Sequence, residues 1–209
     1  MNAFATLIRR EFWEHRSLWL APAIAAAIIV ALTLLSSVHS RGFGITIDSG
    51  EIDSHAAAGA RIDFLAGITP QQQATIFGVT LILISIPILI AAGVAIFLYL
   101  ADALYAERKD RSILFWKSLP VSDAATVWSK LVTALGAAPL LTWGICAVAV
   151  TLCFLALQWR ASGTPFAQAM AWDTATWLRV HGIGLLNLGL ASLWYLPIAG
   201  YLLAASAWA

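Results

Sequence analysis

Four stretches of this chain are apolar enough to lie in hydrocarbon. From Leu18 to Val38 no charged side chain interrupts a run of Leu, Ile, Val and Ala, and ~20 such residues rising 1.5 Å each cross a hydrocarbon core of ~30 Å. A second stretch, Thr75 to Ala101, carries Pro87 and Gly93 in its interior. A missing amide and a missing side chain predict a kinked helix whose neighbours satisfy the backbone. The third, Val127 to Leu157, exceeds what a perpendicular crossing needs, so it is expected to tilt or to begin with an interfacial turn. The fourth runs from Val180 to Trp208. The pattern predicts an all-α bundle of about four transmembrane spans (18–38, 75–101, 127–157 and 180–208) in one transmembrane domain over residues 1–209.

Ahead of the first span the apolar period changes. Phe4, Ile8, Phe12, His15 and Trp19 recur on one face of a 3.6-residue helix while Arg9, Arg10 and Glu14 lie elsewhere. This predicts an amphipathic helix in the membrane interface, anchored by Trp13 and Trp19; the alternative is a plain extension of span one. A cleaved signal peptide fits less well. The apolar stretch is longer than the ~7–15 residues of a signal core, Glu11 and Glu14 sit in the leader, and no Ala-x-Ala-like site follows closely.

Composition agrees with this pattern. Of 209 residues, 61% are hydrophobic and only 11% charged. Twelve Lys and Arg against eleven Asp and Glu leave a net charge of +1, too little to attract nucleic acid. The location of the charges says more than their sum. Arg9, Arg10 and Arg16 precede span one, and Arg108, Lys109, Arg111 and Lys117 fall between spans two and three, with Lys130 just beyond; Arg41, Arg61, Arg160 and Arg179 occupy the other side. Retention of flanking positive charge inside the cell then predicts a cytoplasmic N-terminus, an exported loop over 39–74 and a cytoplasmic loop over 102–126.

Most of the ten Trp residues fall near predicted helix ends, as in an interfacial belt (Trp13, Trp19, Trp116, Trp128, Trp159, Trp172, Trp177 and Trp208). Trp143 and Trp194 lie deeper, where they serve either helix packing or a stacking site on a substrate pathway. Cys146 and Cys153, seven residues apart in an apolar run, read as packing residues. In span four, Gly182, Gly189 and Ser192 share a face on which another helix, within the chain or across a subunit boundary, could approach closely. Asn187 lies off that stripe and either faces a polar pathway or bonds across helices.

Catalytic signals are sparse. The chain has no G-x-x-x-x-G-K-[ST] and no H-E-x-x-H, so it is read as a non-enzyme that needs no metal or cofactor. Glu51, Asp53 and His55 alternate in the exported loop, but three polar residues in a solvated loop make a poor cation site. Ser162 with His181 is the single nucleophile and base pairing that can be constructed, and a membrane-embedded hydrolase built on it is the weakest of the readings.

The one dense charge cluster lies between spans two and three. Glu107-Arg108-Lys109-Asp110-Arg111 is followed by apolar Ile113, Leu114, Phe115 and Trp116, and Leu119-Pro120-Val121 then breaks the chain before a helix for which Ser122 or Asp123 can serve as N-cap. The physics alone allows either a docking element for a soluble partner or a solvated turn on the membrane face. The run from Glu107 to Asp123, with Lys130 before the third span, resembles the cytoplasmic loop of ABC-2 type transporter permeases, and Arg9 to Arg16 is similar to the N-terminal amphipathic helix of that family.

The resemblance implies a multi-pass permease of a bacterial inner membrane, part of an ATP-driven exporter, working with a separate ATPase subunit as a homodimer or paired half-transporter. On that basis the loop is a coupling helix, with Glu107, Arg108 and Asp110 pairing charges and Leu114, Leu119 and Pro120 docking. The chain departs from the family in two ways. Arg111-Ser112 stands where many members carry Gly-Thr, and four spans are counted where six are usual, so two C-terminal spans are expected to be missing. The competing expectation is a non-transporting scaffold or sensor whose exported loop binds a ligand.

Overall fold

The computed structural model describes residues 3–39, 69–109, 122–162 and 171–208, and every element among them is helical. The amphipathic α1 (Ala3–Glu14) turns at His15 into α2 (Ser17–His39). After the undescribed 40–68, α3 (Pro70–Lys109) runs for 40 residues. α4 (Asp123–Val132) passes through a π-helical turn, Thr133–Ala137, into α5 (Ala138–Ala161), and α6 (Thr174–Trp208) closes the bundle. Among the described residues four helical stretches are long and apolar enough to cross a membrane: Ser17–Leu35, Pro70–Ala106, Asp123–Arg160 and Thr174–Trp208. The expected all-α bundle of about four spans is therefore present.

Local chemistry sets the helix starts. Thr69 and Gln72 form a reciprocal capping box: the Thr69 amide donates to Gln72 Oε1 (2.8 Å) and the Gln72 amide to Thr69 Oγ1 (3.3 Å). Pro70 follows at the first helical position, where its missing N–H costs nothing. Ser122 caps α4 by accepting from the Ala125 amide, 3.2 Å away. At the head of α6, Asp173 accepts from the Ala175 amide and the Thr176 hydroxyl. The Thr176 hydroxyl and the neighbouring amides hold the Asp173 carboxyl below its usual value.

α3 is the hub, touching α2, α5 and α6. α2 and α5 run one way and α3 and α6 the other, which is why Gly78 of α3 lies against Thr176 and Val180 of α6 while the Leu104 and Tyr105 amides meet Ser206 Oγ, 3.0 Å from each. Among the described residues the core forms three clusters along the bundle. Near the α1 end, Leu18, Tyr99, Leu100 and Leu203 pack together. Midway, small Ala26, Cys146 and Ala149 surround Ile88, and at the far end Phe77, Leu81, Val150 and Phe154 interlock. Cys146 and Cys153 are both buried free thiols, as packing residues should be.

The long third stretch carries a π turn near its start. The Ala138 amide reaches back to the Thr133 carbonyl, five residues away. Pro139 has no amide to offer the Leu135 carbonyl, and the Ser192 hydroxyl, 2.7 Å from that oxygen, replaces it from α6. Ser192 thus faces into the bundle, whereas Gly182 and Gly189 face outward with open space around them.

Candidate functional site

At the α1 end three helices meet on one carboxylate. Glu11 of α1, Tyr99 of α3 and Lys130 of α4 are only 2%, 3% and 1% exposed. Lys130 Nζ donates to Glu11 Oε1 at 3.0 Å, and Tyr99 Oη donates to Glu11 Oε2 at 2.9 Å. Two donors on the two oxygens satisfy the carboxylate, which a group removed this far from water requires. Ser129 and Thr133, on either side of Lys130, are also buried, and each hydroxyl donates to a carbonyl of the same chain segment.

His15 completes the cluster from the turn between α1 and α2. Its ring meets Tyr99 edge-on, centroids 4.7 Å apart, and its Nε2 lies 3.9 Å from Glu11 Oε2. Burial pushes the imidazole below its ordinary value, and Lys130 adds to the effect; Glu11, Glu14 and Asp102 oppose it. His15 is accordingly neutral near pH 7, and the buried charges there balance as one anion and one cation.

Sequence reasoning placed Glu11 in a charged leader and Lys130 as a flank of span three, and did not join them. The signal was present in the period. Leu7, Glu11, His15 and Leu18 are spaced by four, four and three, and Leu7, Glu11 and Leu18 are the buried positions. The face on the bundle is therefore rotated from the one centred on Phe4, Ile8 and Phe12: Phe4 is exposed and Ile8 and Phe12 are half-buried at its edge.

The far end is built from rings. Trp177 stacks on His181 with centroids 4.2 Å apart, and Trp172 contacts Phe77, Phe154 and Trp177. Trp177 Nε1 donates to Thr151 Oγ1 at 3.1 Å, and Trp143 Nε1 to the His181 carbonyl at 3.1 Å. Trp172 and Trp177 are thus half-buried against the cluster of Phe77, Leu81, Val150 and Phe154. Trp13, Trp128, Trp159 and Trp208 are exposed near helix ends.

The remaining predicted site residues are spread over the molecule. The side chains of Glu107 and Arg108, and the whole of Asp110, Leu114, Leu119 and Pro120, lie outside the described residues, as do Trp116, Glu51, Asp53 and His55; the backbone of Glu107 and Arg108 ends α3. Trp143 borders an apolar groove of about 830 Å³ between α2 and α5, whereas Asn187 and Trp194 stand on the outer face of α6. The structure does not bring the three side chains together. Ser162 bonds to the Trp159 carbonyl and His181 Nδ1 faces the Trp177 carbonyl, so no hydrogen bond pairs Ser162 with His181.

What the buried cluster can do is mechanical. It locks α1 and α4 to α3 at a point that tolerates no loose end, since separating any partner strands a charge or a hydroxyl in an apolar setting. No protein-family model, curated protein or solved structure matches the chain.

Proposed function

We propose that this chain is the membrane permease subunit of an ATP-driven exporter of the ABC-2 type, coupled to a separate ATPase subunit and working as a pair of membrane subunits. The observation that carries the reading is the position of the Glu11, Tyr99 and Lys130 joint. α3 ends at Lys109 and α4 begins at Asp123, so both helices that bound the charged segment 107–123 enter the joint directly. A push delivered to that segment by a nucleotide-dependent partner has a stiff route to α1, α3 and the π turn below α4. Coupling requires such a route, together with contacts that differ between the partner's nucleotide states.

In this reading the N-terminus and the segment 107–123 lie in the cytoplasm of a bacterial cell, and the protein is a multi-pass inner-membrane component. Glu107, Arg108 and Asp110 meet charges on the ATPase, and Leu114, Leu119 and Pro120 shape the contact. The resemblance of the Glu107 to Asp123 run supports these roles.

Purification of the chain from its native membranes into lipid nanodiscs, followed by assay of ATP hydrolysis, tests the reading. An ATPase subunit should accompany the wild type, and the double change Glu107→Arg, Arg108→Glu should remove it or abolish its activity. Purification with no nucleotide-hydrolysing partner, or full activity in the double variant, would overturn the proposal.

A further inference from the structure

The apolar groove between α2 and α5 has a cation at its head. Small residues, Ala23, Ala27 and Ala31 of α2 and Gly144 of α5, keep the groove open, and Leu34 and Leu152 bound its far end. Every lining side chain is aliphatic except Trp143, whose Nε1 donates to the His181 carbonyl. Arg16 stands upstream on the same side of α2. The Leu20 amide donates to the Arg16 carbonyl at 2.9 Å, so Arg16 holds the N-cap position of the helix. Arg16, Ala23, Ala27 and Leu34 then follow one another by seven, four and seven residues, which makes one line along a helix. Arg16 is exposed and, among the described residues, pairs with no carboxylate; the exposed acid nearest in sequence, Glu14, is held by Arg10 at 2.6 Å.

The dimensions select the occupant. From Ala23 to Leu34 the groove is ~16 Å long at 1.5 Å per residue. A volume of about 830 Å³ over that length gives a mean cross-section of about 50 Å². A helix with its side chains is ~10–12 Å across and needs about 80–110 Å². Another span laid on this face leaves the groove beneath it empty, a void that close packing disfavours; an extended hydrocarbon chain enters it. The depth agrees. Arg16 lies ~10 Å before Ala23 along the helix, and the headgroup layer of one leaflet is ~5–7 Å deep. A guanidinium on a flexible stem therefore reaches phosphate level while the groove begins in hydrocarbon. Trp13, 60% exposed, and Trp19, half-buried, flank the turn at that depth, where an apolar ring with a polar tip belongs.

A ligand that satisfies both parts has an anionic head and an apolar tail. A guanidinium presents paired N–H donors that match the oxygens of a phosphate. Arg9, exposed on the side of α1 opposite Leu7 and Glu11 and also unpaired among the described residues, adds to the positive potential there. We propose that the α2/α5 groove headed by Arg16 is a binding site for one anionic phospholipid, with its phosphate on Arg16 and an acyl chain between Ala23 and Leu34. Ala26 and Ala149 belong both to the groove wall and to the mid-bundle cluster around Ile88, so the chain packs where the side chains of α2 and α5 are too small to meet. A zwitterionic lipid brings its own cation beside the guanidinium and binds less well.

Lipid retention is measured without an ATPase and in either membrane orientation, so this reading and the proposed function fail separately. The full chain, stripped of native lipid in detergent, is given phosphatidylglycerol or phosphatidylcholine with the same acyl chains, and the retained lipid is read by native mass spectrometry. The wild type should hold one phosphatidylglycerol about five-fold more readily than phosphatidylcholine, as one basic side chain at an anionic surface predicts. Arg16→Gln should erase that preference. Gly144→Leu, at a position where an added Cβ meets nothing within 4 Å, and Ala27→Leu fill the groove. Both should lower retention of either lipid several-fold and leave the unfolding temperature of the lipid-free chain unchanged. Arg179→Gln, at the opposite end of the bundle, should retain lipid as the wild type does. Equal retention of the two lipids by the wild type, undiminished phosphatidylglycerol binding in Arg16→Gln or in both groove variants, an equal loss in Arg179→Gln, or release of the lipid by inorganic phosphate alone would each overturn the inference.

Discussion

The two ends of the bundle are fastened by opposite means. At the α1 end a carboxylate, an ammonium and a phenol from three helices hold one another in a site almost closed to water. At the far end Phe77, Phe154, Trp172, Trp177 and His181 hold by ring contacts, with hydrogen bonds at the margins. Ring packing is forgiving, because each contact is weak and the surface can readjust. A buried ion pair is not, since its desolvation is offset only while both partners are in place. The end next to the charged 107–123 segment therefore behaves as a rigid joint and the opposite end as an adjustable plug. That is the mechanical arrangement expected where force enters at one end.

The largest break in this contrast should come from Lys130→Met. It leaves Glu11 buried without its cation and should cost about 3–5 kcal/mol, read as a fall in thermal unfolding temperature in nanodiscs. Adding Glu11→Leu should return most of that loss, because an apolar pair asks nothing of its surroundings. Next in size is Tyr99→Phe, which removes a donor to a charged oxygen and should cost about 1.5–3 kcal/mol in the same assay. At the far end Trp177→Phe keeps a ring against His181 and loses only the bond to Thr151, so about 0.5–1.5 kcal/mol is expected. If Trp177→Phe proves as damaging as Tyr99→Phe, the contrast between joint and plug disappears.

The smallest effect concerns pH. The His15 value is depressed in the folded chain, so proton uptake favours a state in which α1 has come away and the ring is in water. The His15 contribution is therefore whole above the unfolded value of ~6.5 and is lost as pH falls from there through the lower folded value. A distance between spin labels at Ala5 of α1 and Ala124 of α4 should hold at neutral pH and lengthen in part of the population on acidification. His15→Phe should keep the short distance throughout.

The membrane spans were legible because hydropathy over ~20 residues is a collective signal that no single residue can spoil. Helix ends were less so. α3 begins at Pro70 and extends to Lys109, beyond the apolar run of 75–101, since a helix continues past the lipid wherever a cap and solvated charges permit. The joint was hidden for a different reason. Glu11 and Lys130 are 119 residues apart, and each reads locally as an ordinary interfacial charge; only the phase of Glu11 with Leu7 and Leu18 marks it as turned inward. The π turn is explained afterwards by Pro139 and Ser192, but nothing in the local sequence says that α6 will bring a hydroxyl to the Leu135 carbonyl. Asn187 was ambiguous for the same cause, because whether a polar residue in a span faces a neighbour or the lipid depends on which side of the helix the bundle occupies.

The most direct measurement is a charge swap across the joint, read by ATP hydrolysis of the proposed complex with an ATPase subunit, purified from native membranes. Glu11→Lys and Lys130→Glu each place two like charges in a buried site and should each abolish coupled hydrolysis, while the double variant restores opposite charges and should recover much of it. Single variants as active as the wild type would contradict the account, because a joint that can hold two like charges without consequence transmits nothing.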